Sequence, residues 1–145
     1  MKLLLQRVSH ASVTVDGDIV GKINKGLLVF IGIEPMDTED TLEKAAHKIC
    51  NYRMFSDSED KMNLSVLDIG GEVLLVSQFT LAGDTKRGMR PSFSSAARPE
   101  QAESQYLRVA ELIDKKGVRC PTGQFAADMK VELLNDGPVT FLLEL

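Results

Sequence analysis

Tryptophan is absent from this 145-residue chain, and cysteine, histidine and tyrosine occur only twice each. The two cysteines, Cys50 and Cys120, cannot build a disulfide framework and neither belongs to a C-x-x-C pair, so a reducing compartment is the expected home. The two histidines, His10 and His47, have no partner at metal-ligand spacing, which leaves a zinc site without ligands and a Ser-His-Asp triad without a motivated base. No apolar run approaches about 18 residues, and the Leu3-Leu4-Leu5 stretch is too short for a signal-peptide core. Phosphate-cradling glycine loops, dinucleotide fingerprints and G-x-S-x-G elbows are also missing. The expectation is a cytoplasmic protein with no membrane partner, no metal and no cofactor.

What remains is ordinary globular material, 43% hydrophobic and 26% charged, with a formal net charge of −4. That charge argues against binding nucleic acid through a globally basic surface. Charge is nevertheless unevenly spread. Glu34, Asp37, Glu39, Asp40 and Glu43 form an acidic run without a base, read as a solvated face with Glu39 and Asp40 in a helix's first turn. Lys86, Arg87, Arg90 and Arg98 form a basic run without an acid, set in a Gly/Pro/Ser-rich loop where function tends to concentrate.

Apolar residues alternate with polar ones from Leu3 to Val8 and from Ala11 to Val15, predicting strands. Asp16-Gly17 predicts a tight hairpin to Ile19–Ile23. Gly26 to Ile33 is nearly all apolar, as for a strand covered on both faces. Leu42, Ala45, Ala46, Ile49 and Cys50 recur at helical spacing, and a second stripe of Ala102, Tyr106, Val109, Ala110 and Ile113 follows Pro99 and stops before Gly117. Short strands are predicted at Tyr52–Phe55 and Leu64–Leu67, a longer one at Val73–Leu81, and two more at Met129–Leu133 and Val139–Leu145 around an Asn135–Pro138 turn. These elements predict one mixed α/β domain over residues 1–145, with about eight strands and two main helices. The sheet is expected to be mostly antiparallel or mixed and curled toward a barrel.

Polar or special residues interrupt the apolar strands in three places: Ser77-Gln78-Phe79-Thr80-Leu81, Gly88-Met89-Arg90-Pro91-Ser92-Phe93, and Asn135-Asp136-Gly137-Pro138-Val139-Thr140. Taken singly, each is also consistent with satisfied strand hydroxyls, a plain loop or an ordinary turn. Together with Gln6-Arg7-Val8, Ala11-Ser12-Val13, Thr122-Gly123, Phe125 and Met129, they make the chain resemble, from end to end, the bacterial and eukaryotic D-aminoacyl-tRNA deacylases.

That resemblance implies a homodimer with two composite sites, each joining the Ser77–Thr80 strand end of one protomer to Gly137-Pro138 of the other. It implies a cis Gly137–Pro138 bond, which the dipeptide alone would not, since only about 5–6% of X-Pro bonds are cis. Arg7 resembles the position that holds this motif, and Asn135 opens it. Phe125 and Met129 resemble the lining of an adenine pocket, and Lys86, Arg87 and Arg90 are candidate contacts to phosphates of a tRNA acceptor end. The implied activity is hydrolysis of the ester of D-aminoacyl-tRNA and of mischarged glycyl-tRNA. Ser77, Gln78, Phe79 and Thr80 are the candidate catalytic set. Thr80 has no evident activating base, so main-chain N–H groups near Phe79 and Thr80 are favoured as the catalytic device. Two other readings stay open: a deacylase of relaxed chirality acting on small L-aminoacyl-tRNAs, and a non-catalytic dimeric module binding RNA or small molecules.

Overall fold

A computed structural model describes residues 1–145. Its elements run β1 (Lys2–Val15), β2 (Asp18–Ile23), β3 (Gly26–Gly32), α1 (Glu39–Asn51), β4 (Phe55–Ser56), β5 (Met62–Leu64), β6 (Glu72–Ser77), α2 (Pro99–Lys115) and β7 (Lys130–Glu144), with a 3-10 turn at Phe79–Ala82. The mixed α/β class with two helices is as expected. There are seven strands rather than about eight, because β1 and β7 are each continuous where two strands were predicted. Each crosses its interruption through a bulge, which bends a strand without ending it.

The long strand β1 organises the sheet. Its first half pairs with β3 and its second half with β2, while β7 runs antiparallel along its whole other edge. Only the β3–β6 pair is parallel. Asp16 and Gly17 both take positive φ, 49° and 82°, as the predicted two-residue turn requires. The sheet then curls until β2 reaches the chain beside β6, and a Cβ on Gly21 would lie 2.5 Å from the Thr122 carbonyl oxygen. Glycine is needed there because the two backbones touch.

Curling separates two cores. Val8, Ala11, Val13, Ile23, Leu28, Leu74 and Val76 fill the concave interior. The opposite face carries the larger core, where Leu3, Leu5, Leu27 and Leu75 meet the predicted stripes of both helices. The first-turn acids Glu39 and Asp40 behave as expected, but the acidic run is only partly solvated. Asp37 is buried and, with Glu34, holds the Met1 ammonium at 2.9 and 2.6 Å, while that group also donates to the Leu145 carbonyl. The run's spacing could not reveal this, because the cation comes from a residue far away in sequence.

Three further boundaries differ. The strand predicted to reach Leu81 ends at Ser77, and the short strands lie at Phe55–Ser56 and Met62–Leu64. The Asn135–Pro138 turn lies inside β7, where Gln6 pairs Thr140 and Val8 pairs Asn135. Four residues, 136–139, therefore stand opposite Arg7 alone.

Candidate functional site

The site begins where β6 stops. Gln78 N–H donates to the Ile31 carbonyl at 2.8 Å, continuing the parallel ladder by one residue, and the chain then tightens into the turn at Phe79–Ala82. Gly32 makes the tightening possible, since a Cβ there would sit 3.0 Å from Leu81 Cβ and 3.2 Å from the Gln78 carbonyl oxygen. Leu81 N–H bonds back to the Gln78 carbonyl and Gly83 N–H to that of Thr80. The amides of Phe79 and Thr80 precede the first such bond, as the opening amides of any helical turn do.

On the far edge of β6, Val73 and Leu75 N–H donate to the carbonyls of Arg119 and Pro121, and Gly123 N–H donates back to Leu75. This strap delivers Phe125 and Met129 to the same end of the strand. Phe125 stacks on Tyr106 of α2 at 5.8 Å between centroids, and Gly123 leaves space for the Met129 sulfur, which a Cβ would meet at 2.7 Å. Burial raises the Tyr106 phenol, a hydrogen bond involving Thr122 opposes this, and nearby Glu103 raises it further.

Between the two segments lies a cavity of about 620 Å³, walled by Val76, Ser77, Gln78, Phe79, Phe125 and Met129 among others. That size suits a small-molecule site, and the mostly apolar wall suits a flat ring. Three candidate catalytic residues and both candidate base-contacting residues, far apart in sequence, thus share one cavity. The start of α2, with Ala96, Ala97, Pro99 and Ala102, supplies a further wall that the sequence reading missed, as it did Phe93. Phe93 ends the Gly88–Phe93 stretch and Ala102 opens the second helical stripe, but only the long-range path of the chain brings them to this wall.

Thr80 is exposed at the rim, and its Oγ1 lies 2.6 Å from the Gln78 side-chain amide. Whichever way that amide is turned it is no base, so Thr80 has nothing to take its proton. Neither cysteine offers an alternative nucleophile: burial pushes the Cys50 thiol up to about 11 and raises that of Cys120 as well.

The second half of the predicted site stands apart from this cavity within the chain. Gly137 and Pro138 are exposed on the β7 bulge and joined by a cis peptide bond. Arg7, largely buried, donates from Nε to the Asp136 carbonyl and from Nη1 to the Met54 carbonyl, both at 2.8 Å. Asn135 Oδ1 accepts from Val139 N–H, and its Nδ2 donates to Thr140 Oγ1, both at 2.9 Å. The bulge is therefore braced at both shoulders with its tip bare. Lys86, Arg87 and Arg90 occupy an exposed loop closed by paired backbone bonds between Asp84 and Ser92, and none of the three forms an ion pair.

The whole chain is similar to proteins already known. Curated D-aminoacyl-tRNA deacylases of Saccharophagus degradans and Shewanella amazonensis are 59% and 61% identical to the chain, each alignment covering 99% of both proteins. A solved structure titled c-Myc DNA Unwinding Element Binding Protein superposes with a TM-score of 0.94 at 42% identity, covering 100% of this chain and 99% of the other. The fold alone is shared with a probable eukaryotic D-amino acid tRNA deacylase at a TM-score of 0.87 and 15% identity, over 99% of this chain and 98% of that one. Residues 4–144 match the family described as D-Tyr-tRNA(Tyr) deacylase, and the chain belongs to that family.

Proposed function

We propose that this hydrolase cleaves the ester linking a D-amino acid, or misattached glycine, to the terminal adenosine of tRNA. One observation carries the reading: Ser77–Phe79 and the distant Phe125 and Met129 converge on one apolar cavity of nucleoside size at the end of β6. The adenine ring lies against Phe125 and Met129, since an aromatic face and a polarizable thioether both suit a base. The ester then reaches the rim, beside the Phe79 and Thr80 amides.

Water attacks the ester carbonyl carbon, and the negative charge that develops on its oxygen is taken by those amides. One such donor is worth about 2.7–4 kcal/mol in other hydrolases. The tetrahedral species collapses by breaking the bond to the ribose oxygen, which leaves protonated. The vicinal ribose hydroxyl relays the proton, in keeping with the lack of a side-chain base. Thr80 is not acylated, and it contributes its main-chain N–H rather than its hydroxyl.

Chirality is sorted by Gly137-Pro138 of a second protomer placed across the cavity mouth. A rigid main-chain wall close to Cα excludes an L side chain and admits a D side chain or a hydrogen atom. The braced, bare tip supports this, because the bulge is held firmly yet neither Gly137 nor Pro138 walls this cavity in its own chain. Leu134 and Leu142 of the same strand are also more than half exposed, apolar surface of the kind a partner covers.

Matched D- and L-aminoacyl-tRNAs, followed for loss of ester with wild type and Thr80→Ala, test the whole reading. Selective cleavage of the D-ester, with near-normal turnover by the variant, is expected. Equal cleavage of both enantiomers overturns the chirality claim, no cleavage leaves only a binding module, and a trappable acyl-enzyme on Thr80 overturns the water mechanism.

A further inference from the structure

We infer that Phe93 is a positioning residue for this reaction, holding Phe79 and the strand end at the cavity mouth, and that the basic loop hangs from the same contact; this rests on the deacylase reading above. Phe93 follows Ser92, one foot of the loop closed at Asp84–Ser92, and Gly83 precedes the other. Its ring meets Phe79 edge-on, with centroids 5.1 Å apart and planes at 67°, and both rings wall the cavity. Beneath it lies the main chain of the turn, for a Cβ on Gly83 would come within 3.0 Å of the Phe93 ring and 3.1 Å of the Thr80 carbonyl oxygen.

The chain returning from the loop is fixed to the same turn, where the Ser95 hydroxyl donates to the Ala82 carbonyl, and then to the end of β3, where Ala97 N–H donates to the Ile33 carbonyl at 3.1 Å. Phe93 belongs to neither core and is 41% exposed, so its contact with Phe79 is not a by-product of packing the fold. Phe79, itself 53% exposed, has no other aromatic partner. The arrangement gives Phe93 two tasks. It fixes the ring beside the candidate oxyanion-binding amides, and it ties them to a loop whose three cations face outward.

Steady-state deacylation of a D-aminoacyl-tRNA and of a D-phenylalanyl ester of adenosine, which lacks the tRNA body, tests this with Phe93→Leu, Phe93→Tyr and Gly83→Ala. An aromatic edge contact is worth enough to predict a kcat about three- to tenfold lower for Phe93→Leu on both substrates, with KM nearly unchanged on the adenosine ester and raised on tRNA, whose contacts hang from that residue. Phe93→Tyr restores the rate, and Gly83→Ala, which displaces the ring while keeping it, reproduces the loss. A Lys86/Arg87/Arg90→Ala triple variant raises KM on tRNA only. Unchanged kcat in Phe93→Leu, an effect on KM alone, failure of Phe93→Tyr to rescue, or losses that track a falling thermal midpoint each overturn the inference. If wild type cleaves neither D-ester, the deacylase reading itself has failed, and this inference falls with it.

Discussion

Whereas the cavity at the end of β6 is walled mainly by apolar side chains drawn from four separate stretches of chain, the bulge on β7 is a short polar segment braced by Arg7 and Asn135. The walls of the cavity all come from one chain. The bulge is finished only as a shape and faces outward, with Gly137 and Pro138 exposed. The contrast teaches that recognition of the base and selection of handedness are built on separate supports. Damage to one should leave the other standing. Gly137→Ala breaks the bulge half most severely. Gly137 sits at φ +143°, where L side chains rarely go, and a Cβ would come within 2.7 Å of Val139 Cγ2 and 2.9 Å of Arg7 Nη2. A stability cost of about 1–3 kcal/mol follows from the backbone conformation. Displacing the wall by roughly an ångström predicts about a 10²-fold loss of preference for D- over L-ester, with KM for an adenosine ester little changed. Thermal unfolding and steady-state kinetics on both enantiomers check this, and a D/L ratio within threefold of wild type would take the bulge out of chiral selection.

Arg7→Lys is the milder break. The guanidinium spans two carbonyls, those of Asp136 and Met54, from two different nitrogens. A lysine ammonium is a point charge and cannot reproduce that fork. Asn135 still braces the other shoulder, so turnover should fall by about tenfold, equivalent to about 1.4 kcal/mol. Selectivity for D over L should narrow with it. A variant whose rate drops while its D/L ratio stays fixed would assign Arg7 to the fold and not to the wall's placement.

The same contrast explains what could be read from sequence. Periodicity reports which face of an element is buried, so both helical stripes and the Asp16-Gly17 hairpin were legible residue by residue. Continuity was not, because a bulge and a turn use the same residues. Asn135-Asp136-Gly137-Pro138 looks like a break between strands, yet its neighbours Leu133 and Phe141 stay in register with Ala11 and Leu5 on one β1. Within the cavity, Ser77–Phe79, Phe125 and Met129 could be named from the family resemblance. Phe93 and Ala102 could not be assigned to the wall, because their placement depends on how a long loop returns to start α2. Asp37 shows the limit on the electrostatic side: its partner is the Met1 ammonium, far from it in sequence.

The smallest effects belong to the cations of the loop, and they sharpen the comparison because they act through neither half. Lys86, Arg87 and Arg90 are exposed and form no ion pair, and Met89 between them is fully exposed. A cation that neutralises a phosphate of a single-stranded acceptor end releases a counterion, contributing about −0.7 to the slope of log affinity against log salt. Removing one of them, as in Arg87→Ala, should therefore flatten that slope by about 0.7 and weaken tRNA binding only a few-fold at moderate salt. Hydrolysis of a D-aminoacyl adenosine ester, which has no phosphate to contact, should respond to neither the variant nor the salt. Binding titrations at several salt concentrations measure the slope directly. A slope that Arg87→Ala leaves unchanged would take that arginine off the RNA path. The cavity and the bulge would then account for recognition between them, without help from its charge.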